Sequence, residues 1–206
     1  MSIVTLNDRA VRSVSAFGSV NAGSMIFISK VTASSSATID FTSGIDSTYK
    51  EYVFTFNNIE PATDGADFSF QVETGTNSDY NQTITSSYFR AYHHEADSAA
   101  AIEYVTGKDL AQSTNFQVLA GAVGNGADGN NDECASGKMH LFNPSSTTFV
   151  KHFMATTNFY NHGDASINVY AAGYGNTTSA VNAIRFELDS NNMDAGTIKL
   201  YGLKDS

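Results

Sequence analysis

Alternation of large apolar residues with polar ones is the feature that most restricts what this chain can fold into. Segment 50–57 (KEYVFTFN) has an aromatic residue at every second position, and segment 67–73 (DFSFQVE) repeats the pattern. A period of two over this length is typical of an antiparallel strand with one buried face. In the second segment the pattern predicts that the polar side chains point outward into solvent; these are Ser69, Gln71 and Glu73.

Ten further segments are predicted to be strands, separated by turns rich in Gly, Asn and Ser, and no helical period is sustained. Such a series is typical of a sandwich or a barrel, and the length suits one domain. We therefore predict an all-β fold with a single antiparallel β-sandwich at 24–206 and a jelly-roll-like topology. The predicted strands are 24–31, 37–42, 50–57, 67–73, 83–92, 101–106, 115–121, 138–143, 148–157, 167–174, 182–189 and 196–203.

Residues 1–23 differ from the rest of the chain, because their apolar residues are scattered without a period and Gly18 and Gly23 disfavour a long helix. A frayed terminus is one interpretation. Seven aliphatic or aromatic residues in twenty are unusual for a disordered tail, so we predict an extended N-terminal arm that docks on neighbouring subunits. The predicted interaction residues are Ile3, Leu6, Arg9, Arg12, Val14 and Phe17.

Charge is distributed unevenly along the chain. Residues 1–39 contain three basic residues and one acidic residue (3 − 1 = +2). Since the net charge of the chain is −10, residues 40–206 carry −12. An acidic body argues against nucleic acid as a partner, since phosphate binding needs a basic surface.

No apolar run approaches the roughly 18 residues of a membrane span, so we predict no membrane association. Charged residues are only 16%, and a surface of hydroxyls and amides suits contacts between subunits.

The most metal-like cluster in the sequence is formed by His93, His94, Glu95 and Asp97. Adjacent residues of a strand point to opposite faces, so the two histidines cannot bind the same ion. We predict a solvated strand end at this position, and neither a metal ion nor another cofactor for the protein.

Loop 121–137, rich in Gly and Asn, carries oxygen ligands at alternate positions. The candidate ligands are Asp128, Asn130, Asp132 and Glu133. A calcium loop of the EF-hand type needs a glutamate at its twelfth position, which counted from Asp128 is Met139. Calcium binding is therefore an open hypothesis for this loop, which titration calorimetry would test.

Catalytic constellations are not evident. The sequence has no G-x-S-x-G motif, and its single cysteine, Cys134, can form no intramolecular disulfide and has no evident base beside it. His140 and His152 are predicted to lie approximately opposite each other across a hairpin, where cross-strand packing accounts for them. We predict no catalytic residue and no enzymatic activity.

Carbohydrate binding is a further open hypothesis. Tyrosines on the surface of a β-sandwich would stack on sugar rings while neighbouring amides bond the hydroxyls; the competing interpretation is that these residues lie in the core and interfaces. The residues concerned are Tyr160, Tyr170, Tyr174, Asn158, Asn161 and Asn176.

Several segments resemble a family of structural proteins of marine bacteriophages, especially cyanophages. The most specific is HLFNPSSTTFVKHF, at the start of 140–158. The resemblance implies a component of the virion, assembled in the host bacterial cytoplasm, and it transfers no catalytic or binding residue. The matching segments are 6–19, 32–41, 47–64, 88–98, 140–158 and 196–206.

From these observations we expect a non-enzymatic capsid decoration or cement protein on the outer head surface, bound to the major capsid protein. A homo-oligomer is expected, and a trimer is one option. The alternative is a tail fibre, baseplate or adhesin module that binds other tail proteins and contacts the host. A virion depolymerase is a third hypothesis, disfavoured because such enzymes are usually much longer chains.

Overall fold

The computed structural model describes residues 24–126 and 132–204. The predicted arm, 1–23, lies outside the described residues, as does the centre of loop 121–137 with Asp128 and Asn130. The same applies to all six predicted interaction residues, Ile3, Leu6, Arg9, Arg12, Val14 and Phe17.

Twelve β-strands and no helix make up the secondary structure of the described residues. Each of the twelve segments predicted as strands overlaps one of them, so the all-β prediction is confirmed. The strands are β1 (Met25–Thr32), β2 (Thr38–Phe41), β3 (Glu51–Pro61), β4 (Ala66–Glu73), β5 (Ile84–His94), β6 (Ala100–Tyr104), β7 (Gln117–Val123), β8 (Ala135–Phe142), β9 (Lys151–Asn161), β10 (Ala165–Gly175), β11 (Ala183–Leu188) and β12 (Met193–Leu203).

Antiparallel pairing joins the strands into one continuous sheet that folds into two layers, called here the long sheet and the short sheet. The long sheet has the order β1-β12-β3-β8-β9-β10-β5-β6, and the short sheet has the order β2-β11-β4-β7. Among the described strands, the two sheets are linked by the single pair Val123–Asn161. The four strands β1-β12-β3-β8 facing β2-β11-β4-β7 have the strand order of a jelly roll, which confirms the predicted topology. The β9–β10 and β5–β6 hairpins extend the long sheet on one side.

Aromatic rings from the inner faces of both sheets fill the space between them. Phe54 of β3 lies 5.4 Å from Phe186 of β11, and Phe70 of β4 lies 5.0 Å from Phe153 of β9, measured between ring centroids. Burying a side chain of this size stabilises the fold by about 1.5–3 kcal/mol. These contacts between sheets show the sandwich that the alternating pattern predicts.

The polar face of β4 is the point at which the prediction was wrong. Ser69, Gln71 and Glu73 do point away from the aromatic core, but all three are buried. Segments 74–83 and 105–116 cover this outer face of the short sheet, and the Gln71 amide donates to backbone carbonyls in both segments. The chain itself therefore covers part of the outer face of the short sheet, and an open groove of about 500 Å³ remains beside the covering segments.

Glu73 holds one of these covering segments through its carboxylate. Its oxygens accept hydrogen bonds from the backbone N–H groups of Thr74, Gly75 and Tyr80 at 2.7–3.0 Å. Burial acts to raise the pKa of Glu73, but the backbone donors outweigh burial and leave the pKa below its usual value. The ionised carboxylate is thus the form that the fold stabilises.

Replacing Glu73 by glutamine will destabilise the fold at pH 7 by roughly 1–3 kcal/mol, because an amide group then faces backbone donors. A carboxyl whose pKa is lowered on folding stabilises above its unfolded pKa, and this stability is lost as the pH falls through the folded value. Urea unfolding should therefore show a lower free energy of unfolding for the variant than for the original protein at pH 7, and a smaller difference near pH 3. The matched control is Glu60→Gln, since burial and Asp194 raise the pKa of Glu60. Equal destabilisation by both variants would contradict this account.

Candidate functional site

The outer face of the long sheet is a surface that the described chain leaves uncovered, with exposed Phe89, Tyr170 and Met154 on it. Strand register aligns outward-pointing residues in a row across seven of its strands, called here the Phe89–Lys30 row. It consists of Phe89 (β5), Tyr170 (β10), Thr156 (β9), Lys138 (β8), Thr55 (β3), Lys199 (β12) and Lys30 (β1). The row begins with two aromatic residues at the β5 end, and three of its other five residues are lysines.

Aromatic side chains at the β5–β10 end form a stacked pair in solvent. The Phe89 and Tyr170 rings lie 5.1 Å apart with an interplanar angle of 13°, and these residues are 42% and 45% exposed. Met154, in the adjoining row, is 57% exposed. Together with Phe142 they line an open apolar groove of about 450 Å³. Exposed apolar groups gathered in this way are typical of a binding surface.

Amide and hydroxyl groups border the other side of the row. Asn168, Asn158 and Ser136 are register partners on β10, β9 and β8, and with Asn57 they line a second shallow groove of about 450 Å³. Asn57 and Asn158 are exposed. The two grooves share Lys138, so an apolar strip and a hydrogen-bonding strip lie side by side on one face.

The charge of this face is opposite to that of the whole protein. Lys30, Lys138 and Lys199 form no ion pair within the described part of the chain. The Phe89–Lys30 row and the row on either side of it contain no carboxylate. One row further on, the Glu51 carboxylate lies 2.5 Å from His140 Nδ1. The central face therefore carries about +2 from its lysines and Glu51, on a chain whose net charge is −10.

Acidic residues gather instead at one end of the sandwich, called here the acidic end. Its described loops are 33–37, 62–65, 95–99, 124–126, 132–134, 162–164 and 189–192, and they contain no lysine or arginine. Their seven acidic residues are Asp64, Glu95, Asp97, Asp132, Glu133, Asp164 and Asp189.

The opposite end, called here the terminal end, holds both limits of the described chain. The Lys204 N–H donates to the Ser24 carbonyl at 2.8 Å, at the start of β1. Charges are balanced in the described loops of this end, which hold Asp46, Asp79, Lys50 and Lys204. Lys108 of segment 105–116 instead pairs with Asp67 at the start of β4. The two ends of the sandwich therefore differ in charge, and the negative charge is concentrated at the end away from Ser24.

The predicted metal-like cluster is an exposed strand end. His93 Nε2 lies 3.0 Å from Asp97 Oδ1, and both side chains are mostly exposed. His94 packs edge-on against Tyr92 instead. No group of three or more metal-ligating side chains occurs in the described ranges 24–126 and 132–204. The calcium hypothesis for loop 121–137 stays untested, because part of this loop lies outside the described residues.

The residues considered for catalysis, His140, His152 and Cys134, form no common site in the described part of the structure. His140 is the register partner of Met154 rather than of His152, which packs against Tyr174. Burial, followed by the charges of Glu60 and Asp132, raises the pKa of the Cys134 thiol and disfavours the nucleophilic thiolate.

The proposed sugar-binding residues divide between two regions. Tyr170, Tyr174 and Asn158 lie on the outer face of the long sheet. Tyr160 follows Asn158 on the same face of β9, and its hydroxyl donates to Asp164 at the acidic end. The Asn161 amide instead donates to a backbone carbonyl of β7, and the Asn176 amide donates to Gln112. The structure therefore places four of the six predicted residues on one face.

Phe89 and the three lysines of the row were missed as site residues, although the strands that carry them were predicted. Each residue is unremarkable in its own segment, and they align only through pairing between distant strands. The one local signal was an outward aromatic position in the alternating pattern of 83–92.

Comparison with protein-family models, with curated proteins and with solved structures gives no match. Within the described residues, there is no helix of sufficient length and apolar character to cross a membrane.

Proposed function

We propose that this protein is a non-enzymatic structural protein of a bacteriophage particle, a decoration or cement protein on the outer surface of the head. The polarity of the sandwich carries the proposal. Ser24, to which the arm is joined, lies at the terminal end, whereas seven acidic residues and no basic ones occupy the described loops of the other end. An arm leaving the charge-balanced end buries apolar residues on the lattice, and the acidic end faces water.

The jelly roll supports the same role, because this architecture occurs widely in viral capsid domains. The proposed partner is the major capsid protein, and the subunit is proposed to act as a homo-oligomer, with a trimer as one option. Aliphatic and aromatic residues of the arm, among them Ile3, Leu6, Val14 and Phe17, make the proposed contacts to the lattice.

Deleting residues 2–22 should leave a folded domain that no longer binds particles, because the arm supplies the apolar contact area. Binding is measured by co-sedimentation with particles that lack the protein, and folding by circular dichroism. A full-length variant with Ile3, Leu6, Val14 and Phe17 changed to serine should behave like the deletion. The matched control changes Ser13 and Ser15 of the same arm to alanine and should bind normally. Full binding by the deleted protein would show that the arm has no such role.

A tail fibre, baseplate or adhesin module is the second candidate function, and the exposed aromatic and lysine side chains of the long sheet favour it. Quantitative mass spectrometry of purified particles with cryo-electron microscopy distinguishes the two. Tens to hundreds of copies on the head lattice are expected for decoration, and a few to a few dozen copies on the tail for the alternative. Absence from the particle would contradict both.

A further inference from the structure

We propose that the outer face of the long sheet binds an acidic polysaccharide, with the sugar chain running across the strands along the Phe89–Lys30 row. Neighbouring strands are about 4.8 Å apart, so the row extends roughly 29 Å over seven strands. That length accommodates an extended oligosaccharide. The inference holds for either location on the particle. Particle binding and copy number test the decoration role, whereas sugar binding by the isolated protein tests this inference, so each can be contradicted without the other.

Sugar stacking is assigned to the aromatic end of the row. The Phe89–Tyr170 pair is parallel and nearly half exposed, and Met154 widens the apolar strip beside it. Pyranose rings have an apolar face of C–H groups, which packs on aromatic rings while the hydroxyls remain at the edge of the ring. The apolar groove therefore suits one or two sugar rings.

Hydroxyl recognition is assigned to the amide groove. Asn57, Asn158 and Asn168 lie beside the row, with the Ser136 hydroxyl between them. Amides supply both donors and acceptors, which is the combination that sugar hydroxyls need. The Asn158 amide already donates to the Ile167 carbonyl, and the Ser136 hydroxyl accepts from the Asn58 N–H. A purely apolar ligand would displace water from the remaining amide groups without replacing its hydrogen bonds, at an energetic cost.

Acidity of the ligand is inferred from the lysines. Lys30 and Lys199 are direct register partners at the edge of the sheet, and like charges in this position destabilise an antiparallel pair. An anionic ligand removes this repulsion. Lys138 stands two strands further along the row, and Glu51 is already paired with His140. A chain with carboxylates along its length therefore complements the lysines of the row.

Two other occupants fit the face less well. Nucleic acid binding depends on neutralising many phosphates, and the row offers three lysines and no arginine. A second copy of the chain would place two positive faces together on subunits that each carry a net charge of −10. Both become outcomes of the test.

Isothermal titration of the full-length protein with a hexamer of α-1,4-linked galacturonic acid tests the proposal. We expect saturable binding that weakens when salt is raised from 0.1 to about 0.5 M, since screening acts on exposed charges. Maltohexaose, a neutral hexamer, should bind at least about tenfold more weakly.

Two variants separate the contributions of the face. Lys138→Glu combined with Lys199→Glu should weaken binding of the acidic hexamer at least about tenfold, and so should Phe89→Ser combined with Tyr170→Ser. Lys50→Glu makes the same kind of charge change at the exposed terminal end and is the matched control, with unchanged affinity expected. Thermal melting followed by circular dichroism shows whether each variant is folded.

Several results would overturn the proposal. These are no binding of the acidic hexamer, equal binding of maltohexaose, or unchanged affinity in folded variants of the face. Binding of single-stranded DNA in preference to the hexamer would assign the face to nucleic acid. Self-association in analytical ultracentrifugation that Phe89→Ser with Tyr170→Ser abolishes would assign it to a second copy.

Discussion

Replacing Phe186 by alanine will destabilise the sandwich by about 3–5 kcal/mol, the usual cost of truncating a buried phenylalanine. Phe186 is fully buried, and its ring lies within 6.3 Å of five other phenylalanine rings from both sheets. The five are Phe41, Phe54, Phe56, Phe68 and Phe70. Since folded domains are stable by roughly 5–15 kcal/mol, this single change removes a large share of the total.

Urea unfolding followed by far-UV circular dichroism measures the effect, as the chain has no tryptophan for fluorescence. Phe149→Ala is the matched control, because Phe149 is 66% exposed in the loop before β9. Its expected effect is within about 0.5 kcal/mol. If the two variants lose similar stability, Phe186 is not the centre of the core.

Replacing Gly137 by alanine is expected to have the second-largest effect on stability, about 1–3 kcal/mol or more. A Cβ atom at Gly137 of β8 would overlap the Thr156 carbonyl oxygen and approach the Thr157 Cα, both in the backbone of β9. Backbone cannot rotate away as a side chain would, so the two strands must separate. Because β8 and β9 lie at the middle of the long sheet, the disturbance reaches both halves.

Gly107→Ala is the matched control, since nothing lies within 4 Å of a Cβ at that position. There the change should be neutral or stabilising by roughly 0.4–1 kcal/mol, through reduced freedom of the unfolded chain. Thermal melting of the two variants checks the contrast. Equal melting temperatures would mean that the close approach of β9 to Gly137 does not exist in solution.

Strand positions could be predicted from the sequence because period-two patterning is local. The order of the strands in the sheets could be predicted only indirectly, from the topology that is typical of the predicted fold class. The buried polar face of β4 could not be foreseen, because alternation shows which residues share a face and not what covers it. Gln71 and Glu73 look like surface residues in their own segment. Their partners are in segments 74–83 and 105–116, and pairing of that kind arises from tertiary structure.

The candidate site was less accessible to sequence reasoning than the fold. Tyr170 and Asn158 were identified as candidates for sugar binding, because they are near each other in sequence. The alignment of Phe89 with Lys138 and Lys30 depends on the register of strands far apart in the chain. A shift of one residue in any of these pairs would turn the affected side chains to the other face. Strand register is set by packing between distant strands, so the sequence of a single segment does not predict it.

The pairing of β1 with β12 has a mechanical consequence. If the arm anchors the protein, tension enters the sandwich at Met25 and acts along the axis of β1. The seven register pairs between β1 and β12 then carry the load together in shear, instead of opening one after another as they would under a sideways pull. The bulge between Phe27 and Ser29 divides this group of pairs into two parts. The rupture force of an anchored subunit is therefore expected to depend on this edge pairing more than on the aromatic core.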